Sequence, residues 1–135
     1  MKFLSVAKDG GPESRVTGYW LIELKWLFSI VLLRFDNGSR EMFHSHAFNS
    51  VSWILNREGE LHECHLRESR RRGGSFITYF RSWRPIWTYR TTFHQVYSIG
   101  TTWVLSFRGP WHRAWREYHP LRHEYTTLTN GRVPV

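Results

Sequence analysis

The sequence lacks several features that would place it in a common class of protein. Cys64 is the only cysteine among 135 residues, so neither an intramolecular disulfide nor a cysteine-rich zinc module can form. We therefore expect the protein in a reducing compartment, the cytoplasm. The most apolar stretch, Tyr19 to Phe35, is interrupted by Glu23 and Lys25, whereas a membrane-spanning helix needs about 20 predominantly apolar residues. We expect a soluble protein with no membrane partner.

Acidic residues and lysine are also scarce. The chain has 19 Lys and Arg against 11 Asp and Glu, which gives a net charge of +8 and a pI near 10.3. Arginine accounts for 16 of the cations, and its planar group pairs well with phosphate and carboxylate. This charge admits an anionic small molecule or a nucleic acid as partner and selects neither. The usual nucleic-acid-binding motifs are missing.

Aromatic residues, in contrast, are abundant. The 8 Trp, 6 Tyr and 9 Phe make up 17% of the chain, and such side chains favour strands. Turn sequences at residues 36–39 (DNGS) and 56–59 (NREG) separate short stretches of this kind, as in antiparallel sandwiches and barrels. Since 135 residues suit a single domain, we predict one all-β domain.

We divide the chain into an irregular N-terminal arm at residues 1–18, a β-barrel at 19–125 and a C-terminal surface tail at 126–135. Residues 40–55 contain neither glycine nor proline and are predicted to form one long strand. Both faces of that strand carry apolar side chains, so we expect it to be covered on both sides. The turn at 56–59 is predicted to close a hairpin with a partner strand at 60–66.

His44 and His46 are the strongest candidates for a functional site. Residues two apart on a strand point to the same face, about 6.6–6.8 Å apart along the chain. Two imidazoles placed in this way can lean toward one metal ion and bind it at about 2.0–2.1 Å. His94 lies in a later stretch of similar character and is the candidate third ligand.

The predicted hairpin supplies two candidates for a fourth ligand. Its register places Glu63 opposite Ser52 and His65 opposite Ser50, on the face that also carries the two histidines of the 44–46 motif. A cross-strand salt bridge to an arginine is the alternative role for Glu63 and His65.

The segment from Phe43 to Glu63 (FHSHAFNSVSWILNREGELHE) resembles the first half of a cupin. More narrowly, residues 31–118 are similar to a compact single-domain cupin-like family that is common in bacteriophage genomes. Its members carry an HxH motif, a glycine turn, a glutamate, a later histidine, and a strand that ends in Gly-Pro before a tryptophan. Here His94, the run from Trp103 to Pro110, and Trp115 correspond to the later features. The resemblance implies an all-β fold, a single small cupin-like double-stranded β-helix (jelly-roll) barrel, with a metal site at the histidines.

The chain departs from the cupin pattern at one ligand position. Cupins generally carry a carboxylate four residues after the second histidine, where this chain has Ser50. Either Glu63 or His65 fills that place, or the three histidines hold the ion alone, or the metal has been lost. Imidazoles with one carboxylate suit a divalent transition metal, and they do not distinguish Fe, Mn, Ni and Zn.

Three functions stand as alternatives. The first is a metal-dependent enzyme that acts on a small anionic molecule, which Arg90 would hold through a bidentate contact. The second is a non-catalytic phage structural or interaction protein, located in the host cytoplasm or the virion, whose barrel is a scaffold for other phage proteins. The third is a nucleotide or nucleic-acid binder that uses the arginine-rich loop, whose basic residues are Arg67, Arg70, Arg71 and Arg72. We expect a homo-oligomer, and no sequence pattern identifies catalytic residues.

Overall fold

The structure of the protein is a computed structural model. It describes residues 2–9, 14–39, 43–55, 60–67, 74–80, 85–119, 124–129 and 133–134. Every regular element in these ranges is a β-strand, and they contain no helix long and apolar enough to cross a membrane. The strands are β1 (Lys2–Lys8), β2 (Val16–Leu24), β3 (Phe28–Phe35), β4 (Gly38–Ser39), β5 (Phe43–His44), β6 (Ser50–Ile54), β7 (Glu60–Arg67), β8 (Gly74–Phe80), β9 (Ile86–Thr88), β10 (His94–Ile99), β11 (Thr102–Arg108), β12 (Ala114–His119), β13 (Glu124–Thr129) and β14 (Val133–Pro134).

The strands form two antiparallel sheets. The first sheet has the order β1-β2-β3-β11-β6-β9, and the second has the order β14-β13-β12-β5-β10-β7-β8, with β4 also paired to β10. We call them the first and second sheet below. The all-β jelly-roll fold predicted from the sequence is confirmed by this arrangement.

The apolar core lies between the two sheets. On β3, every second residue from Ser29 to Leu33 is buried, as expected for a strand with one covered face. Val31, in the middle of this series, is completely inaccessible to solvent. Trp20 and Val104 join it from the neighbouring strands of the first sheet, and Leu61 joins it from the second sheet. Burial of this shared face holds the two sheets together.

Both ends of the chain are more regular than the sequence indicated. The N-terminal arm predicted to be irregular contains β1, which pairs with β2 from Lys2 opposite Glu23 to Lys8 opposite Thr17. The predicted surface tail overlaps β13, which pairs with β12 and buries Leu128. The turn residues after Lys8 misled the prediction for the arm, because they join two paired strands and do not lead into an unpaired segment.

The hairpin predicted between residues 40–55 and 60–66 does not form. β6 pairs with β11 and β9 in the first sheet, whereas β7 pairs with β10 and β8 in the second sheet. The chain therefore crosses from one sheet to the other after β6. The long strand predicted at 40–55 is interrupted as well, because residues 45–49 separate β5 from β6.

Candidate metal centre and ligand cavity

Three histidines from two segments of the chain meet in the second sheet. His44 ends β5 and lies directly opposite His94, the first residue of β10. His46 follows two residues after His44, and its Nε2 lies 2.7 Å from Nε2 of His94. One nitrogen from each of the three rings lies within 4.8 Å of the others. His44 and His94 are buried, so this cluster lies inside the protein.

The backbone between the first two histidines is held by β12. Ser45 donates its N–H to the carbonyl of Arg116 over 2.8 Å, and its hydroxyl accepts the N–H of Arg116 over 2.9 Å. The chain has left the regular strand at this point, so the side-chain alternation used in the sequence prediction does not describe it. The rings of His44 and His46 nevertheless come together, with their centroids 4.8 Å apart and their planes nearly perpendicular.

Glu63 determines which nitrogen of His94 faces the cluster. Its Oε1 lies 2.7 Å from Nδ1 of His94, and both side chains are buried. A carboxylate accepts a hydrogen bond, so Nδ1 of His94 carries the proton and a neutral ring presents its lone pair at Nε2. Nε2 of His46 faces that lone pair at 2.7 Å. Two lone pairs at this distance repel each other, so a proton on one of the two rings or a cation must lie between them.

The donor set fits a divalent transition ion. Metal–nitrogen bonds of about 2.0–2.1 Å place two ligands on one ion at most about 4.2 Å apart. The observed limit of 4.8 Å is close enough for small ring rotations to bring all three nitrogens onto one ion. A carboxylate on the second nitrogen of a ligating imidazole is the usual support for such a ring. His44, His46 and His94 would hold the ion, and imidazole donors suit iron, nickel, copper and zinc.

Of the two predicted fourth ligands, Glu63 lies behind His94 and hydrogen-bonds to the nitrogen that faces away from the cluster. This contact makes it a support for His94. Residue 65 pairs with His94 in the sheet register, but the side chain of His65 lies outside the described residues. Glu63 reaches the interior as predicted, although the predicted hairpin is absent, because strand parity alone determines the face on which it lies.

The sequence prediction missed two further buried carboxylates, Glu23 and Glu117. Glu117 lies directly opposite His44 in the pairing of β12 with β5, and only 3% of its surface is exposed. Directly opposite residues share one face of a sheet, so Glu117 and His44 are on the same face. The sequence analysis assigned no strand to this segment, so no register was available to find Glu117.

The histidine cluster forms part of the wall of an internal cavity. The cavity has a volume of about 310 Å³, within the range of small-molecule sites. Trp20, Phe48 and Trp111 supply aromatic walls, and both sheets contribute to the lining. We call this space the ligand cavity.

Arg90, the predicted anion-binding residue, does not line the ligand cavity. It is exposed and lies in a turn after β9, where its backbone N–H donates to Oδ1 of Asn49. The N–H of Thr92 donates to the carbonyl of Tyr89 over 3.0 Å, so the backbone between Arg90 and His94 is not extended. The predicted contact of Arg90 with an anion stays a prediction.

Arg108 at the end of β11 is the arginine that does line the ligand cavity. Its Nη2 lies 2.7 Å from Oδ2 of Asp9, and 3% of its side chain is exposed. The alternation of apolar residues along β11 suggests the wrong buried face. Trp103, Leu105 and Phe107 are larger and more apolar than the buried residues that alternate with them. Hydrophobic periodicity therefore pointed to the wrong face of this strand.

The arginine-rich loop largely falls outside the structure. Arg67 belongs to β7, but its side chain is not described, and Arg70, Arg71 and Arg72 lie outside the described residues. Its proposed contact with nucleic acid stays a prediction.

The sequence matches no protein-family model and no curated protein. Solved structures share the fold. HEPD from Streptomyces albus, solved with its substrate 2-hydroxyethylphosphonate and Fe(II), is 9% identical with a TM-score of 0.63 over 79% of this chain and 24% of that one. An RmlC-like cupin from Shewanella frigidimarina is 18% identical with a TM-score of 0.56 over 79% and 84% of the two chains.

Oxalate decarboxylase from Bacillus subtilis is 13% identical with a TM-score of 0.54 over 73% of this chain and 26% of that one. The chain thus spans about a quarter of the length of the HEPD and oxalate decarboxylase chains. These likenesses and the two antiparallel sheets define the fold as a small cupin jelly roll.

Proposed function

We propose that this protein binds one divalent transition metal ion through His44, His46 and His94 and acts on a small anionic molecule in the ligand cavity. The contact of 2.7 Å between Nε2 of His46 and Nε2 of His94 carries the proposal. With Nδ1 of His94 protonated against Glu63, that contact requires a proton or a cation between the rings, and the third histidine completes a donor set for a metal.

The chain's own residues have distinct roles in this proposal. Glu63 fixes the orientation of His94 and keeps its lone pair toward the cluster. Trp20 and Phe48 give the cavity apolar aromatic walls, and a less polar surrounding strengthens electrostatic contacts there. Bound at the histidines, a divalent ion supplies Lewis-acid chemistry: polarisation of a ligand oxygen or activation of a coordinated water.

Elemental analysis of protein purified without a chelating tag tests the metal site. We expect about one equivalent of a transition metal in the wild type and none in the double variant His44→Ala/His46→Ala. The matched control is His62→Ala/His112→Ala, which removes two histidines outside the cluster and keeps the wild-type metal content. Folded wild-type protein that takes up no metal when iron, manganese, nickel or zinc is supplied would overturn the proposal.

One observation favours a second candidate function, that of a non-catalytic phage scaffold. On the edge strand β1, Phe3, Leu4 and Val6 are exposed by 57%, 83% and 62%. An edge strand with apolar side chains is a template for pairing with another chain. The phage origin in this second candidate rests on the sequence resemblance. A scaffold role predicts that the protein still associates with another chain when the histidines are replaced.

A further inference from the structure

Arg108 is a buried cation whose hydrogen-bonding capacity is only partly used. A guanidinium has five N–H donors. Asp9 accepts from Nη2, while Nε and Nη1 are closed off from water and have no hydrogen-bond partner among the described residues. Buried donors of a charged group are normally satisfied, because leaving them unpaired is unfavourable. Arg108 therefore keeps N–H donors for which the described part of the chain supplies no acceptor.

The hydrogen bond to Asp9 uses only one edge of the guanidinium and leaves both N–H donors of the other edge. Nη2 carries one hydrogen on each of the two edges of the fork, and Asp9 accepts one of them. Whichever hydrogen Asp9 takes, the opposite edge keeps two parallel N–H donors. Two parallel donors match the two oxygens of a carboxylate, phosphate or phosphonate group.

Aromatic contacts connect this arginine with the histidine cluster. The guanidinium carbon of Arg108 lies 4.6 Å from the centroid of the Phe48 ring, and that ring stacks on His46 with centroids 5.0 Å apart. The guanidinium and the His46 ring are thus no farther apart than the sum of these two distances. Both residues line the ligand cavity. A small molecule that spans them must shift the Arg108 side chain, because its Nε and Nη1 are closed off from water.

With a divalent ion at the histidines, the charges of the cavity wall would favour an anion. The lining contains three carboxylates and three cations, namely Asp9, Glu23, Glu63, Lys8, Lys25 and Arg108. These formal charges balance, so a divalent ion at the histidines would leave the wall positive. An anionic ligand restores neutrality.

We propose that Arg108 is the oxyanion-binding residue of the ligand cavity and that the substrate class is a small carboxylate, phosphate or phosphonate with a second oxygen donor. The substrate class rests on the proposed function, because the second donor is assigned to the metal at the histidines. Anion binding at Arg108 does not require the metal.

Calorimetric titration with glycolate and with inorganic phosphate, in metal-free and metal-loaded protein, tests this assignment. The two probes distinguish a carboxylate from a phosphate-type oxyanion, and ethylene glycol is the neutral control. In the variant Arg108→Met we expect at least about tenfold weaker binding of the preferred anion, the loss expected for a charge-assisted hydrogen-bonding contact.

The matched control is Arg34→Met. Arg34 also pairs with an aspartate and lies over two aromatic rings, but it does not line the ligand cavity. We expect its anion affinity to equal that of the wild type. Asp9→Asn removes the carboxylate that competes for Arg108, so we expect tighter anion binding in that variant. If Arg108→Met fails to fold, Asp9→Asn and Arg108→Lys still test the assignment. Lysine keeps the positive charge but lacks the two parallel N–H donors of arginine, so Arg108→Lys should bind the anion more weakly.

The outcomes separate this inference from the proposed function. Equal affinity in wild type and the Arg108 variants, or no anion binding by metal-loaded wild type, overturns the role of Arg108 and leaves the metal site standing. Loss of anion binding in the Arg108 variants of a protein that takes up no metal supports Arg108 while refuting the metal-dependent function. Normal metal content together with anion binding that depends on Arg108 supports both.

Discussion

At the scale of single residues, the hydrogen bond between Glu63 and His94 is the contact that orients a candidate metal ligand. It places a proton on Nδ1 of a buried imidazole, so that Nε2, the nitrogen next to His46, is the one that would donate a lone pair to a cation. Carboxylates in this position orient a metal ligand and increase its basicity. In the proposed metal site, Glu63 would thus affect metal affinity without contacting the ion.

Replacement of Glu63 measures this contribution. We expect Glu63→Ala to bind metal about 10–100-fold more weakly, the usual effect of losing the partner of a ligating histidine. Glu63→Gln keeps an acceptor for Nδ1 and loses the charge, so its affinity should lie between those of the wild type and the alanine variant. A competition titration against a chelator provides the measurement.

The control for this prediction is Glu60→Gln on the same strand. Glu60 pairs with His62, away from the cluster, so metal affinity should not change. An alanine variant of Glu63 that binds metal as tightly as wild type would show that His94 is positioned by other contacts.

At the scale of elements, β3 anchors the packing of the first sheet. It pairs with β2 on one side and β11 on the other, and Val31 at its centre has no exposed surface. Val31→Ala removes two methyl-sized groups from a closely packed site. We expect a loss of about 2 kcal/mol in the free energy of unfolding.

Urea unfolding measures this loss, and Val6→Ala supplies the comparison. Val6 is exposed, and exposed substitutions usually change stability by less than about 0.5 kcal/mol. If both variants were equally stable, the core would not be centred on β3.

The elements also show how far the sequence could be interpreted. Composition and turn residues were sufficient to predict an all-β fold, because aromatic and β-branched residues favour strands wherever they pair. Pairing partners could not be predicted in the same way, since β6 and β7 are neighbours in sequence but pair in different sheets. Long-range register depends on the whole set of strands, and the predicted hairpin assumed the shortest connection.

The candidate site was predicted in part for the same reason. His44 and His46 were identified from their motif and strand parity, His94 from the character of its segment and the resemblance to cupins, and Glu63 from the register of a hairpin that does not form. Arg108 and Glu117 were missed because their burial depends on pairing with distant strands, β3 and β6 for Arg108 and β5 for Glu117. Arg90 was chosen in place of Arg108 because it is near His94 in sequence.

At the scale of the whole molecule, the net charge of +8 admits a polyanionic partner, and the arginine-rich loop is the predicted place of contact. We expect the variant Arg70→Ser/Arg71→Ser/Arg72→Ser to lose affinity for a single-stranded oligonucleotide. Wild-type binding should weaken steeply as salt is raised, because each phosphate contact releases counterions. Fluorescence anisotropy at several salt concentrations gives both results.

The same triple variant should keep its metal content and its glycolate or phosphate affinity, since these residues do not belong to the described lining of the ligand cavity. Oligonucleotide binding that is unchanged in the variant would assign any polyanion affinity to another surface.

The ligand cavity draws its polar groups from opposite halves of the jelly roll: the histidines belong to the second sheet and Arg108 to the first. A molecule bound at both ends would link the two sheets. Occupancy should then slow amide hydrogen exchange in β10 and β11 together, because a ligand that binds only the folded form suppresses every opening that separates its contacts.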